Sequence, residues 1–339
     1  TLLLAIEHQL SSDREPRYRV AVQRMLDRIL QSAQPDGMLY NEVDAETLKP
    51  LDSRLSDNWG YVYGAVYTFY QVTGEAKYRD WILEYVGAWR QRIIDNDGII
   101  PTNVGLDGKI GSAAGGKWYG GVYGWGFTVE VPQTKQMANR NNHYLGLNGF
   151  GNAYLLTGDD KWLDPWRKMI DKINAQGKPS TDGAMLYPHM YGEKGWYVFN
   201  SEKYSHGAEE IWYWSMKDAD LARLPEGGWV GFLQGKNLNF PEQALRADLE
   251  TIRKKVAGIK ADLTTPDTRL ADDSMKFNPA TVANLVHLAM GGIHHGNPTL
   301  VLHTRVRYFD PETRRPGLPA DVAALVEKMT ADETVLTLV

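Results

Sequence analysis

The stretch "NRNNH" at residues 139 to 143 sets Asn139, Asn141, Asn142 and His143 around Arg140, immediately before an apolar-patterned segment. Side chains of these types donate hydrogen bonds and can be held in fixed orientations. One chemistry that needs such a set is β-elimination from a uronic acid, which removes a weakly acidic proton α to a carboxylate and builds charge beside a group already charged. Donors aimed at that carboxylate stabilise the developing aci-carboxylate. A base must also take the proton, and an acid must protonate the departing sugar oxygen. His and Tyr serve both roles where their surroundings move their pKa toward the working pH. A second stretch, "DGAMLYPHMYGEKGWYVFNSEKYSHGAEE" at 182 to 210, supplies such groups in His189, Tyr187, Tyr191, Tyr197, Tyr204 and His206, with Glu209 three residues beyond.

Groups so far apart in sequence need a scaffold to bring them together, and an internal repeat suggests one. "DNWGYVYGAVYTFYQVTGEAKYRDW" from Asp57 aligns with "NNHYLGLNGFGNAYLLTGDDKWLDP" from Asn141, matching Asn58 with Asn142, Tyr70 with Tyr154, Thr73 with Thr157 and Gly74 with Gly158, each 84 residues apart. That offset suits two helical hairpins of about 40 residues each. In the first copy Trp59, Val62, Tyr63, Val66 and Tyr70 keep helical spacing, "VTGEAKY" turns the chain, and Trp81, Ile82, Tyr85, Val86, Trp89 and Ile93 resume it. Gly74 and Gly158 stand where a helix end wants a left-handed residue. Further helices are expected at 18–32, 207–220, 242–259 and 280–290. Hairpins of this kind can close into an (α/α) toroid around a central groove, the fold expected for residues 1–297.

Two long loops rich in Gly and aromatic residues, 105–132 and 180–207, read as walls of a ligand cleft. Trp118, Tyr119 and Trp125 lie among glycines there and suit sugar platforms. From residue 298 the pattern changes: "TLVLHTRVRYFD" alternates like a strand, and "ETVLTLV" ends the chain on another apolar run. With no visible partner for that last strand, residues 298–339 read as the beginning of a truncated β-rich domain.

Composition narrows the function classes. Eleven Trp and eighteen Tyr suit flat, partly apolar ligands such as sugars. A net charge of -5 argues against a nucleic-acid partner. No apolar run reaches the roughly 20 residues of a membrane span, and zero cysteines exclude disulfides and thiolate chemistry.

The motifs also resemble a known group of enzymes. "NNH" at the mouth of an inner helix resembles the Asn-His pair of alginate lyases and related toroid lyases. "DGAMLYPHMYGEKGWY" resembles the Asp-Gly, His, Tyr segment of hyaluronate, chondroitin and xanthan lyases, whose site is completed by a preceding Asn. "DNWGYVYG" resembles the Asn-Trp helix start of the same lyases. The resemblance implies a polysaccharide lyase that cleaves a uronate glycan by metal-independent β-elimination, with no cofactor. It implies Asn142 as carboxylate neutraliser beside His143, His189 as base or its assistant, and Tyr197 as acid, with Tyr187, Tyr191 and Tyr204 competing for that last role. Asn58, Trp59, Trp118, Tyr119, Trp125, Arg140, Asn141, Tyr191, Tyr204, His206 and Glu209 are then substrate-binding candidates. An acidic polysaccharide or oligosaccharide as partner implies a periplasmic or extracellular location.

Other readings of the same residues stand beside this one. Asn142 and Asn58 can be helix N-caps, and His206 with Glu209 a first-turn charge arrangement. Adjacent residues such as His294 and His295 seldom point at one ion, which favours a structural role over a metal site. A toroid glycoside hydrolase would use two carboxylates across the groove, drawn from Asp57, Glu130, Glu209 or Asp272. A noncatalytic glycan-binding scaffold would need only the aromatics.

Overall fold

The computed structural model describes residues 73–119, 146–264, 278–293 and 303–339, the backbone of 127–130, 137–140, 144 and 145, and positions 20, 23, 24, 27, 47, 49, 66, 67, 70 and 71. The described chain is mainly helical, with small unclosed sheets. Contacts group the described residues up to Pro225 into one compact unit and those from Glu226 onward into a second. Among the described residues no helix is long and apolar enough to cross a membrane.

In the first unit, residues 66, 67, 70, 71 and 73 are helical, and Gly74 then ends the helix at φ +69°, its N–H donating to Tyr70 O at 2.7 Å. The same turn recurs after helix α2 (Tyr144–Thr157): Gly158 has φ +69° and donates to Tyr154 O at 2.6 Å. A left-handed residue costs glycine little, and a side chain at either position would meet open space, so backbone conformation alone selects Gly. Each turn leads into a second helix, α1 (Ala76–Asp95) and α3 (Asp164–Asn174), the latter after a 3-10 turn at Asp160–Trp162.

The helical spacing read from the sequence is the buried stripe. In α1, Trp81, Ile82, Tyr85, Val86, Trp89 and Ile93 are all buried, and Trp81 stacks on Tyr85 at 5.1 Å. Phe150 of α2 packs against Trp166 of α3 at 5.7 Å between ring centroids. Burying side chains of this size stabilises by about 1.5–3 kcal/mol each. The expected helix at 207–220 is two helices, α4 (Ala208–Ser215) and α5 (Asp218–Leu221). Met216, at φ +53°, ends α4 by donating its N–H to Trp212 O. Gly151 lets α2 meet α4 closely, since a Cβ there would run into the Trp214 ring.

Both segments expected as long loops contain strands. In the first, β1 (Phe127–Glu130) pairs with β2 (Met137–Arg140) in antiparallel register, Phe127 opposite Arg140, and β1 approaches β4. In the second, β3 (Lys178–Pro179), β4 (Met185–Gly192) and β5 (Gly195–Asn200) form an antiparallel sheet. Tyr, Trp, Val and Phe favour strands, and "GEKG" closes a tight hairpin with Gly195 at φ +81°.

The second unit holds α6 (Gly228–Leu233), α7 (Phe240–Ala261) and α8 (Ala283–Met290), followed by β6 (Gly292–Ile293) and β7 (His303–Thr304), β8 (Phe309–Asp310) and β9 (Arg315–Pro316), and β10 (Ala324–Met329) and β11 (Thr334–Leu338), paired in that order. Trp229 of α6 stacks on His287 of α8 at 4.4 Å, and α8 packs on β10. The terminal run "TVLTL" is a strand as expected, and its partner is β10. The alternation read across "TLVLHTRVRYFD" does not give one continuous strand. Arg305 and Val306 donate their N–H groups to Met290 O, which draws the chain onto the end of α8 between β7 and β8.

One buried charge cluster ties the helices of the first unit together. Arg167 of α3 grips Asp220 of α5 in a bidentate pair at 2.8 and 2.7 Å and donates to Asp160 and Asp164 at 2.9 and 3.0 Å. Ser215 and Arg223 also donate to Asp220, whose side chain is 2 % exposed. Breaking such a pair strands a buried charge. Asp220→Ala is expected to lower unfolding free energy in urea by about 3–5 kcal/mol. Glu242→Ala, which removes the exposed pair with Arg246, is expected to change it by less than about 1 kcal/mol.

Candidate functional site

The β4–β5 hairpin organises the candidate residues. Side chains along a strand alternate between faces, and the register pairs Tyr191 with Trp196, Met190 with Tyr197, Pro188 with Phe199 and Tyr187 with Asn200. Tyr187, His189 and Tyr191 therefore share one face with Trp196 and Asn200, while Tyr197 and Phe199 project from the other beside buried Met190 and Pro188. His189 and Tyr197, read together from the sequence, lie on opposite faces of the hairpin.

On the His189 face the imidazole is held by defined acceptors. His189 Nε2 lies 3.0 Å from Asn200 Oδ1 and 3.0 Å from the carbonyl of Glu202. Asn200 Oδ1 also accepts the Glu202 N–H at 2.9 Å, which fixes it as the amide oxygen. Nε2 therefore carries the proton, and Nδ1 of the neutral ring carries the lone pair. The ring of Tyr204 lies 5.9 Å from that of His189, and His206 lies 6.3 Å beyond Tyr204.

Tyr204 is fixed by the last residue of α3. Asn174 Nδ2 donates to Tyr204 O and Asn174 Oδ1 accepts Tyr204 N–H, both at 2.8 Å. Burial raises the Tyr204 phenol above its ordinary range. Three residues on, Gly207 passes so close to α2 and α3 that a Cβ would lie 2.5 Å from Leu147 and 2.8 Å from Trp166. That close passage delivers His206, Glu209 and Glu210 to the start of α4.

These three residues are half-buried. Desolvation, with a smaller contribution from Glu210, raises the Glu209 carboxyl to about 7. Desolvation also raises Glu210 and lowers His206 to about 4. Near neutral pH His206 is thus an uncharged imidazole, and Glu209 is poised to give or take a proton.

An aromatic cluster adjoins the hairpin tip. Trp118 stacks on Tyr191 at 4.8 Å, Tyr119 meets Tyr191 edge-on at 5.2 Å, and Trp196 meets it edge-on at 5.0 Å. Thr102 and Asn103 anchor this wall by donating their N–H groups to Trp118 O. Lys117 pairs with Glu193 at the hairpin turn, and Tyr119 donates to the same carboxylate at 3.2 Å. Trp118, Tyr119 and Tyr191 are therefore together, as are His189, Tyr204 and His206.

Asn58, Trp59, Trp125, Asn141, Asn142 and His143 lie outside the described residues, as do Asp57, Asp272, His294 and His295; of Arg140 and Glu130 only the backbone is described. Among the described residues no cluster of three or more His, Asp or Glu is arranged to hold a metal ion. Sequence reading missed Asn200, Glu202, Trp196 and Asn174. The alternation of "YPHMY" against "GWYVFN" carries the signal for Trp196 and Asn200, because pairing those strands sets both on the His189 face.

Glu209 generates a pH prediction. Its folded-state pKa is raised from the ordinary 4.5 to about 7, so its stability contribution is present in full below 4.5 and lost as pH rises through 7. Glu209→Gln removes that loss. Thermal denaturation from pH 5 to pH 8 is expected to show the variant gaining on the parent, by up to about 3 kcal/mol at the upper end. A difference that is flat with pH would show that the carboxyl is not perturbed.

A family model described as "Domain of unknown function (DUF8034)" matches residues 61–187, which include α1, α2, α3 and the first three residues of β4. No curated protein and no solved structure matches the chain.

Proposed function

We propose that the protein is a polysaccharide lyase of the (α/α) toroid type, cleaving a uronic-acid-containing glycan by β-elimination in the periplasm or outside the cell. The observation that carries this reading is His189: its Nε2–H is committed to Glu202 O and Asn200 Oδ1, so the free lone pair is on Nδ1, as a general base requires. The aromatic cluster of Trp118, Tyr119, Tyr191 and Trp196 on the same hairpin supports sugar binding by stacking.

In this scheme His189 Nδ1 takes the proton from the carbon bearing the carboxylate. The electron pair forms a double bond to the neighbouring carbon, whose bond to the bridging oxygen breaks, and a phenol protonates that oxygen. Asn142, with His143 and Arg140 beside it, neutralises the substrate carboxylate. For the acid, the pleat of the hairpin favours Tyr191 over Tyr197, because Tyr191 shares the His189 face. The scheme calls for no metal or cofactor.

A second reading, a toroid glycoside hydrolase, is favoured by one observation: the carboxyl of Glu209, raised to about 7, has the protonation behaviour of a general acid.

Incubation with a panel of acidic glycans separates the readings. The lyase generates an unsaturated product with new ultraviolet absorbance, and His189→Gln and Tyr191→Phe each lower its formation by about 100-fold or more, far more than Tyr197→Phe does. Saturated reducing ends, abolished by Glu209→Gln, would establish the hydrolase instead. Binding without cleavage of any glycan would point to a scaffold.

A further inference from the structure

We infer that Asn200 is a positioning residue that selects the protonation state of His189, an inference that rests on the reading of His189 as the base. An imidazole free in solution samples both neutral tautomers, and only one leaves the lone pair on the nitrogen that faces substrate. A hydrogen bond to the other nitrogen makes the choice. Here the acceptors are two, a backbone carbonyl and a side-chain amide oxygen.

The two acceptors are coupled. Glu202 donates its N–H to Asn200 Oδ1 at 2.9 Å while its carbonyl accepts from His189 Nε2 at 3.0 Å, so Asn200 both contacts the ring and holds the peptide that supplies the second acceptor. Asn200 is the last residue of β5, opposite Tyr187 in the ladder. Between that pair and the Met190–Tyr197 pair lies Val198, at φ +54°. A β-branched residue seldom adopts a left-handed conformation, and strain of this kind persists only where surrounding structure imposes it. The distortion lies beside His189 in the hairpin, between the ladder pairs that hold Asn200 and Tyr197.

Asn is suited to the task because it accepts without charge. The groups that face the ring are Tyr187 and Tyr191 from its own strand, Asn200 from β5, the Glu202 carbonyl, and Tyr204, with His206 behind it. A carboxylate at position 200 would favour the imidazolium and remove the free lone pair over a wider pH range.

The test uses the intact protein labelled with 15N in its histidines, with the His189 resonances assigned by their loss in His189→Gln. The expected parent spectrum is that of the Nε2–H tautomer. Asn200→Asp, which keeps an acceptor for Glu202 N–H, is expected to raise the His189 midpoint by about one pH unit or more and to move the acidic limb of any glycan cleavage profile with it. Asn200→Ala is expected to show mixed tautomers and a fall in kcat with little change in KM. An Nδ1–H parent, or an unshifted midpoint in Asn200→Asp, overturns the inference whatever the activity. The expected spectra with no cleavage of any acidic glycan would instead overturn the lyase reading and leave the positioning role intact.

Discussion

The path of the chain from Tyr204 to Glu210 in the first unit depends on where α3 sits, and Arg167 ties α3 to its neighbours. The guanidinium is spent in full: two nitrogens on Asp220 of α5, the third on Asp164 at the head of its own helix and on Asp160 in the 3-10 turn before it. Holding Arg167 and Asp220 together at a largely buried point is costly, and an apolar cluster of the same volume can be equally stable. What the pair adds is direction, because a bidentate Arg–carboxylate contact tolerates few geometries. It ties α5, and through Ser215 the end of α4, to one end of α3.

The other end of α3 then sets the site. Asn174 satisfies both backbone groups of Tyr204, and the indole of Trp166 in the same helix leaves room for nothing larger than Gly207. Between those two anchors the chain can follow only a narrow path, which leads from the His189 hairpin through Tyr204 and His206 to Glu209. The perturbed carboxyl and imidazole follow from that path. Side chains brought through so tight a passage lose water on several sides without being closed off from it, and each ring or carboxyl is pushed toward its uncharged form.

Helices were legible in the sequence because large apolar residues recurring with a period of 3.6 mark one face of a helix; in α1 all six residues read that way are buried, with Tyr78 and Arg92 beside them, whereas in α7 Leu245 and Leu249 of the same pattern are exposed. The two Thr-Gly turns were legible because a left-handed helix end selects Gly. The hairpin at 185–200 was obscured by its aromatic content, which suits a binding loop as readily as a strand, and Pro188 within it argues against a strand by the usual rules. Without the ladder, spacing along the chain groups His189 with Tyr197, eight residues apart; the register separates them by one step, since Tyr197 pairs with Met190. Charge pairs such as Arg167 with Asp220 join residues 53 apart, and no local pattern encodes that distance.

Local preference and global structure agree through most of the first unit and part company at a few points: Val198 in a left-handed conformation, Pro188 inside a ladder, and Glu209 and Glu210 desolvated side by side. Sequences that fold reliably keep such conflicts few, and those that remain tend to collect where function requires them. These three fall along one stretch of chain, from residue 188 to residue 210, while Asp97 and Met216, also left-handed, end helices outside it. In the described helices around that stretch, the matched turns and the buried aromatic stripe set residue type and environment in agreement. Such a division is expected when a stable scaffold carries a site whose residues are chosen for chemistry rather than packing.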